Sequence, residues 1–210
     1  MVKSLIFILQ TFLIYAALSI ACFLMLRTVA GYTSFRDDVQ FLLLKQAYIH
    51  NPLWKAAFYI HVFSAILALF AGFTQFSSQL LRENKPLHRF MGKIYVWNIL
   101  VVNVPAGMVL AIYANGELAG KTAFVLLDVL WFFFTYKAFS CALKRDFVHH
   151  KQFMIRSFAL TFSAITLRTW KLILSHAIVI DMAQLYVIDA WLGFVPNLLV
   201  AEWIIRRRKN

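Results

Sequence analysis

Hydrophobic positions come in long blocks rather than in amphipathic periods, and short polar, mostly basic clusters separate the blocks. A crossing of the bilayer needs roughly 20 predominantly apolar residues. Six stretches meet that length, at about 4–26, 54–80, 90–114, 122–143, 153–175 and 184–205. The pattern therefore predicts an all-α, polytopic membrane helix bundle with six transmembrane helices, in a single domain covering 1–210. The apolar run after Lys3 continues through Leu26, too long for the core of a cleaved signal peptide, so it is read as the first span. Between the first two spans, Ser34 with Asp37 three residues on resembles a helix start, and Phe41 to Leu44, Tyr48 and Ile49 are too apolar for a free loop. A short interfacial helix is expected over 36–50.

Composition sharpens this picture. The chain is 62% hydrophobic and 14% charged, against roughly half and a quarter in a soluble domain. No polar segment is long enough to bury a core of its own, which excludes a large soluble catalytic domain. Cys22 and Cys141 have neither CxxC nor Cys/His spacing, so no disulfide or zinc centre is expected. The net charge of +12 would suggest nucleic acid in a soluble protein; here it sets topology instead. Lys3, the 82–93 cluster, the 144–156 cluster and Arg206 to Lys209 fall on one side, 13 basic residues against six on the other. Basic residues flanking spans stay in the cytoplasm, which predicts that both termini are cytoplasmic and that the basic face meets anionic lipids. Nucleic acid is not an expected partner.

Ionisable residues inside the apolar stretches are the candidate chemistry, because hydrocarbon tolerates them only beside a partner or a wet cavity. His61, Asp128, Arg168 and Asp189 each lie ~7–11 Å below the same boundary, counting ~1.5 Å per residue. They are expected to form a buried polar site, with Arg168 as the cation and Asp128 and Asp189 as its counter-ions. The bland alternative is a set of ion pairs that fixes helix packing. On the second span, His61, Ala65, Ala68, Gly72, Gln75, Gln79 and Arg82 recur at helical spacing; the small residues suit close packing, and Gln75 suits either packing or the polar site. At the basic end, His88, His149 and His150 with Arg82, Arg89 and Arg156 suggest a haem or an anionic-headgroup or quinone pocket, against a plain interfacial anchor with an Arg156–Glu202 pair. His50 and His176 read as solvated. No HExxH or carboxylate-rich arrangement supports a metal-ion site.

Several strings also carry a resemblance: Tyr59-Ile60-His61-Val62, Gly72-Phe73-Thr74-Gln75-Phe76, Leu87-His88-Arg89-Phe90-Met91-Gly92-Lys93, His150-Lys151-Gln152-Phe153-Met154-Ile155-Arg156-Ser157, Leu167-Arg168 and Val195-Pro196-Asn197 through Glu202-Trp203. From about residue 54 onward the chain resembles the bacterial predicted-membrane-protein family of unknown function numbered 2306. The resemblance implies a bacterial inner membrane, and it places His61, Gln75, Arg82, His88, His150, Arg156, Arg168 and Glu202 at motif positions. Similarity to cytochrome b561 and ferric-reductase bundles is more distant. It implies haem b and electron transfer, with His88 and His150 as the better-matched axial ligands, or else His61 with His176, and with Arg82 and Arg156 beside a propionate, a quinone or a headgroup. The fourth and sixth spans lack the histidines of a two-haem bundle, so one haem is the most this chain would hold. The alternative function is binding or transport of a lipid, an anion or a proton-coupled solute at the outer polar site, with Pro105, Gly107, Gly193 and Pro196 as kinks. A structural subunit is what remains if every polar group merely pairs.

Overall fold

The computed structural model describes residues 2–177 and 181–207, so the expected basic residues Arg208 and Lys209 lie outside the described residues. The chain divides into two compact units, 1–46 and 47–210. The first unit opens with α1, Val2–Gly31, which covers the first expected span. Two short 3-10 turns follow, Tyr32–Ser34 and Gln40–Lys45. The helix expected over 36–50 is therefore reduced to six residues of 3-10 helix. Positive φ angles at Phe35 (52°) and Gln40 (48°) break the run, and Arg36 folds back onto Asp38 at 2.6 Å. Ser34 does not cap; its hydroxyl bonds the carbonyl of Gly31.

The second unit holds the remaining helices. α2, Pro52–Gln75, starts where Asn51 accepts from the N–H groups of Leu53 and Trp54, with Pro52 in the first turn, a cap that satisfies otherwise orphaned donors. After it, α3 (Ser78–Glu83) is capped by Ser77 and α4 (Lys85–Trp97) by Asn84. α4 passes through a π-helical segment, Asn98–Asn103, into α5, Val104–Ile112. Pro105 has no N–H for the ordinary i−4 bond, and the N–H of Val104 reaches five residues back, to Ile99. α6, Glu117–Leu143, follows Gly116, whose φ of 78° suits glycine.

The fifth expected span is two helices, α7 (Phe147–Thr161) and α8 (Ser163–Ala177), separated at Phe162. Ser163 and Thr166 bond nearby backbone carbonyls, the competition that weakens a helix at hydroxyl residues. The sixth is α9 (Met182–Leu192) and α10 (Val195–Arg207), turning at Gly193 and Phe194 just before Pro196. By length and composition, Pro52–Gln75, Lys85–Ile112, Glu117–Leu143 and Met182–Arg207 can each cross a membrane. α6 packs most extensively on α7, and α2 lies against α4, the π segment and α5. The core between them is built from Ala68, Ala71, Tyr95, Ile99, Ala123, Trp131, Ala138, Leu160 and Phe194. Small residues on α2 let the helices approach, as their spacing suggests.

Candidate functional site

At the basic end, the Asn84 cap and Pro86 fix the first turn of α4, on which His88 sits. Gln75, the last residue of α2, donates from Nε2 to the carbonyl of His88 at 3.3 Å and to the Thr74 hydroxyl at 3.1 Å. Gly92 leaves room for this side chain, since a Cβ there would lie 2.9 Å from Gln75 Oε1. His88 Nδ1 is enclosed and has no hydrogen-bond partner. His150, in the first turn of α7, places Nδ1 2.8 Å from the carbonyl of Ala138. A carbonyl only accepts, so Nδ1 carries the proton and Nε2 keeps its lone pair. The two rings lie within electrostatic range of each other, with Arg89 also in range of His88.

The remaining basic-end residues are placed differently. His149 turns outward to Asp146 at 2.7 Å; its backbone N–H and its ring together hold the Asp146 carboxyl below the usual carboxylate range. Arg156 is bidentate to Glu202 at 2.5 and 3.0 Å and lies over the rings of Phe134 and Phe153. Arg82 is exposed on α3.

Between the two ends lies a buried hydroxyl network. Tyr95 OH is 2.8 Å from both Ser157 Oγ and Thr161 Oγ1, Thr135 Oγ1 is 2.7 Å from Ser157 Oγ, and Trp131 Nε1 donates to Thr161 Oγ1 at 3.0 Å. It pins α4, α6 and α7 together. Sequence reasoning missed it, although Trp131 with Thr135 and Ser157 with Thr161 are both at i,i+4 spacing, on facing stretches of α6 and α7. Ser157→Ala strands the Thr135 hydroxyl and removes one of the two partners of Tyr95 OH, and is expected to cost about 1–3 kcal/mol. Thermal unfolding in detergent measures it, and an unchanged Tm would show that the network carries no stability.

In the other half of the bundle, His61 Nδ1 is 3.2 Å from the carbonyl of Asn103, the last residue of the π segment. Asn103 is fully buried; its amide donates to Asn98, which in turn donates to the carbonyl of Ser64. Its Oδ1 has no partner. Asp128 on α6 and Asp189 on α9 are buried, at 5% and 4% exposure. Arg168 is exposed and donates to the carbonyl of Ala164 at 2.6 Å. Its charge reaches His61, but it makes no hydrogen bond or ion pair with either aspartate, so the expected Arg168 counter-ion arrangement is not formed. His50 is exposed; His176 is exposed too and bonds the carbonyl of Leu172 on its own helix.

Long apolar helices, capped at their polar turns and joined by buried polar contacts, define a multi-pass helical membrane protein. Residues 58–205 match the family model described as predicted membrane protein (DUF2306), and the chain belongs to that family. No curated protein and no solved structure matches the chain.

Proposed function

We propose that the basic end of the bundle holds one haem b between His88 and His150 and that the protein transfers electrons through it. The observation that carries this reading is the state of the two imidazoles. A ligating histidine commonly donates its other ring N–H to a backbone carbonyl, which fixes the tautomer and raises ligand basicity; His150 makes such a bond to Ala138. His88, on a facing helix, has a sealed ring nitrogen with no partner. A metal ion held by protein alone takes about four ligands, and among the described residues no three His, Cys, Asp or Glu side chains converge. Haem iron asks the protein for only two axial ligands, which is what this donor set offers.

Bound haem would supply reversible one-electron chemistry. The chain contributes position and charge. Gln75 anchors the turn that carries His88; the Ala138 carbonyl orients His150. Arg82, Lys85 and Arg89 are exposed at this end and supply cations for a propionate, a quinone or anionic headgroups. Arg156 already has its fork in Glu202. In this reading α1 supplies a first crossing and α7 with α8 a fifth, giving six spans with both termini in the cytoplasm of a bacterial inner membrane.

The test is an oxidised and dithionite-reduced visible spectrum of detergent-purified protein expressed with ample haem supply. A stoichiometric reduced b-type band is expected, lost in His88→Ala and in His150→Ala and retained in His149→Ala. A colourless wild-type protein would remove the haem reading. The second reading, a membrane protein that binds or transports a lipid, an anion or a proton-coupled solute, is favoured by the unpartnered Asp128.

A further inference from the structure

We propose that Asp128 is a proton-binding group of the bundle, seated against Gly107 one turn beyond the Asn103 carbonyl that takes His61. The seat is built by glycine: a Cβ on Gly107 would lie 2.7 and 2.9 Å from the two carboxyl oxygens of Asp128. The bare glycine leaves the carboxyl room that a Cβ would make it yield. One turn earlier, the carbonyl of Asn103 takes the His61 ring at 3.2 Å. Asn103 Oδ1, on a side chain with no exposure, is a further acceptor without a donor. So this stretch of helix gathers a titratable carboxyl, an imidazole whose Nδ1 proton is already committed, and an orphaned acceptor.

The surrounding charges leave Asp128 without a counter-ion. Arg168 on α8 acts on His61, and Lys171 acts on Asp189. Among the described residues no hydrogen bond or ion pair reaches Asp128, which is buried. Asp189 stands at matching depth on the neighbouring α9: the Phe124 and Tyr186 rings meet at 5.8 Å, with Asp128 four residues further along α6 and Asp189 three further along α9. An ionised carboxylate buried without a partner costs several kcal/mol, and a bound proton removes that cost by making the group neutral. Intramembrane carboxyls of this kind serve as proton carriers. The inference concerns the ion alone: it requires neither the haem nor a transported solute, though it would give the second reading its coupling ion.

The deciding measurement is the infrared spectrum of the full chain in lipid bilayers at neutral pH, with and without 13C-labelled aspartate. A neutral carboxylic acid shows a carbonyl band that an ionised carboxylate lacks. We expect such a band, shifted by the label, retained in Asp189→Asn, lost in Asp128→Asn and unchanged when sodium replaces potassium. Absence of the band from the wild type, its survival in Asp128→Asn, or its loss in Asp189→Asn would overturn the assignment. Erasure by sodium would overturn it too, because the site would then take an alkali cation. If Asp128→Asn does not fold, the labelled Asp37→Asn/Asp189→Asn double variant decides alone: the other aspartates, at 38, 146 and 181, are exposed, leaving Asp128 as the buried source.

Discussion

Gly72→Leu is expected to prevent the 47–210 unit from packing, with loss of the monodisperse species in detergent. A Cβ at this position would lie 2.5 and 2.6 Å from Phe158 Cε2 and Cδ2 and 3.0 Å from Tyr95 Cε2. Neither ring is free to withdraw. Phe158 is held against Phe73, Phe76 and Phe162 at centroid distances of 5.2, 5.0 and 6.4 Å. Tyr95 is fixed through its hydroxyl to Ser157 and Thr161. Forcing extra carbons into such a contact costs about 1–3 kcal/mol from overpacking alone. Displacing Tyr95 adds the loss of its buried hydrogen bonds, about 1–3 kcal/mol more. The sum is a large part of a typical ~5–15 kcal/mol stability. Gly72→Ala, which adds only the Cβ, should still fold with a lowered Tm. Size-exclusion profiles and thermal unfolding of the two variants separate the cases; a Leu variant as monodisperse and stable as wild type would mean that the α2–α7 contact is looser than these distances require.

Hydropathy made the long helices legible because apolar length is what a bilayer selects. Asn51-Pro52 and Asn84 with Pro86 mark where α2 and α4 begin, since these residues satisfy or dispense with the first N–H groups of a helix. The break at Phe162 was not legible, because the residues around it remain apolar on average. What interrupts the helix there is hydroxyl competition for backbone carbonyls, which an average does not register. The connector at 36–50 is helical only over Gln40–Lys45 for the opposite reason: its apolar content was visible, while the left-handed backbone at Phe35 and Gln40 was not.

The candidate sites divide along a similar line. Depth along a span can be counted from sequence, and it set His88 with His150 at one end and Asp128 with Asp189 at the other as expectations. Rotation about the helix axis cannot be counted across a break. Arg168 lies beyond Phe162, on α8, and is exposed, whereas both aspartates are buried. Asn103 and the Tyr95–Ser157–Thr161–Thr135 hydroxyls escaped notice because neutral polar residues within apolar runs carry little hydropathy signal. Their importance depends on mutual contact, which spacing on one helix suggests only when the facing helix is known.

Arg156→Ala is expected to cost about 2–3 kcal/mol, placed below the ~3–5 kcal/mol of a fully buried pair because Glu202 remains partly in contact with solvent. The Arg156 side chain is 17% exposed and that of Glu202 39%, so the truncation removes the bidentate partner of a half-buried carboxylate. It also removes the guanidinium from the faces of Phe134 and Phe153, 5.8 and 5.4 Å from the ring centroids, contacts worth roughly 0.5–1 kcal/mol each at exposed sites. Arg156→Lys keeps the charge and loses the planar fork, so it should recover only part of the difference. A double-mutant cycle with Glu202→Gln isolates the pair from the stacking, read as thermal or denaturant unfolding in micelles. A coupling below about 0.5 kcal/mol would reduce the bridge to an ordinary surface ion pair and leave the apolar packing of Ile155 against Ala201 and Ile205 as the reason α7 and α10 stay together. A coupling of 1–2 kcal/mol or more, by contrast, would fix Arg156 as the clasp between those helices. Its fork would then be committed to Glu202, and the exposed Arg82, Lys85 and Arg89 would be the cations left to receive an anionic ligand at the basic end.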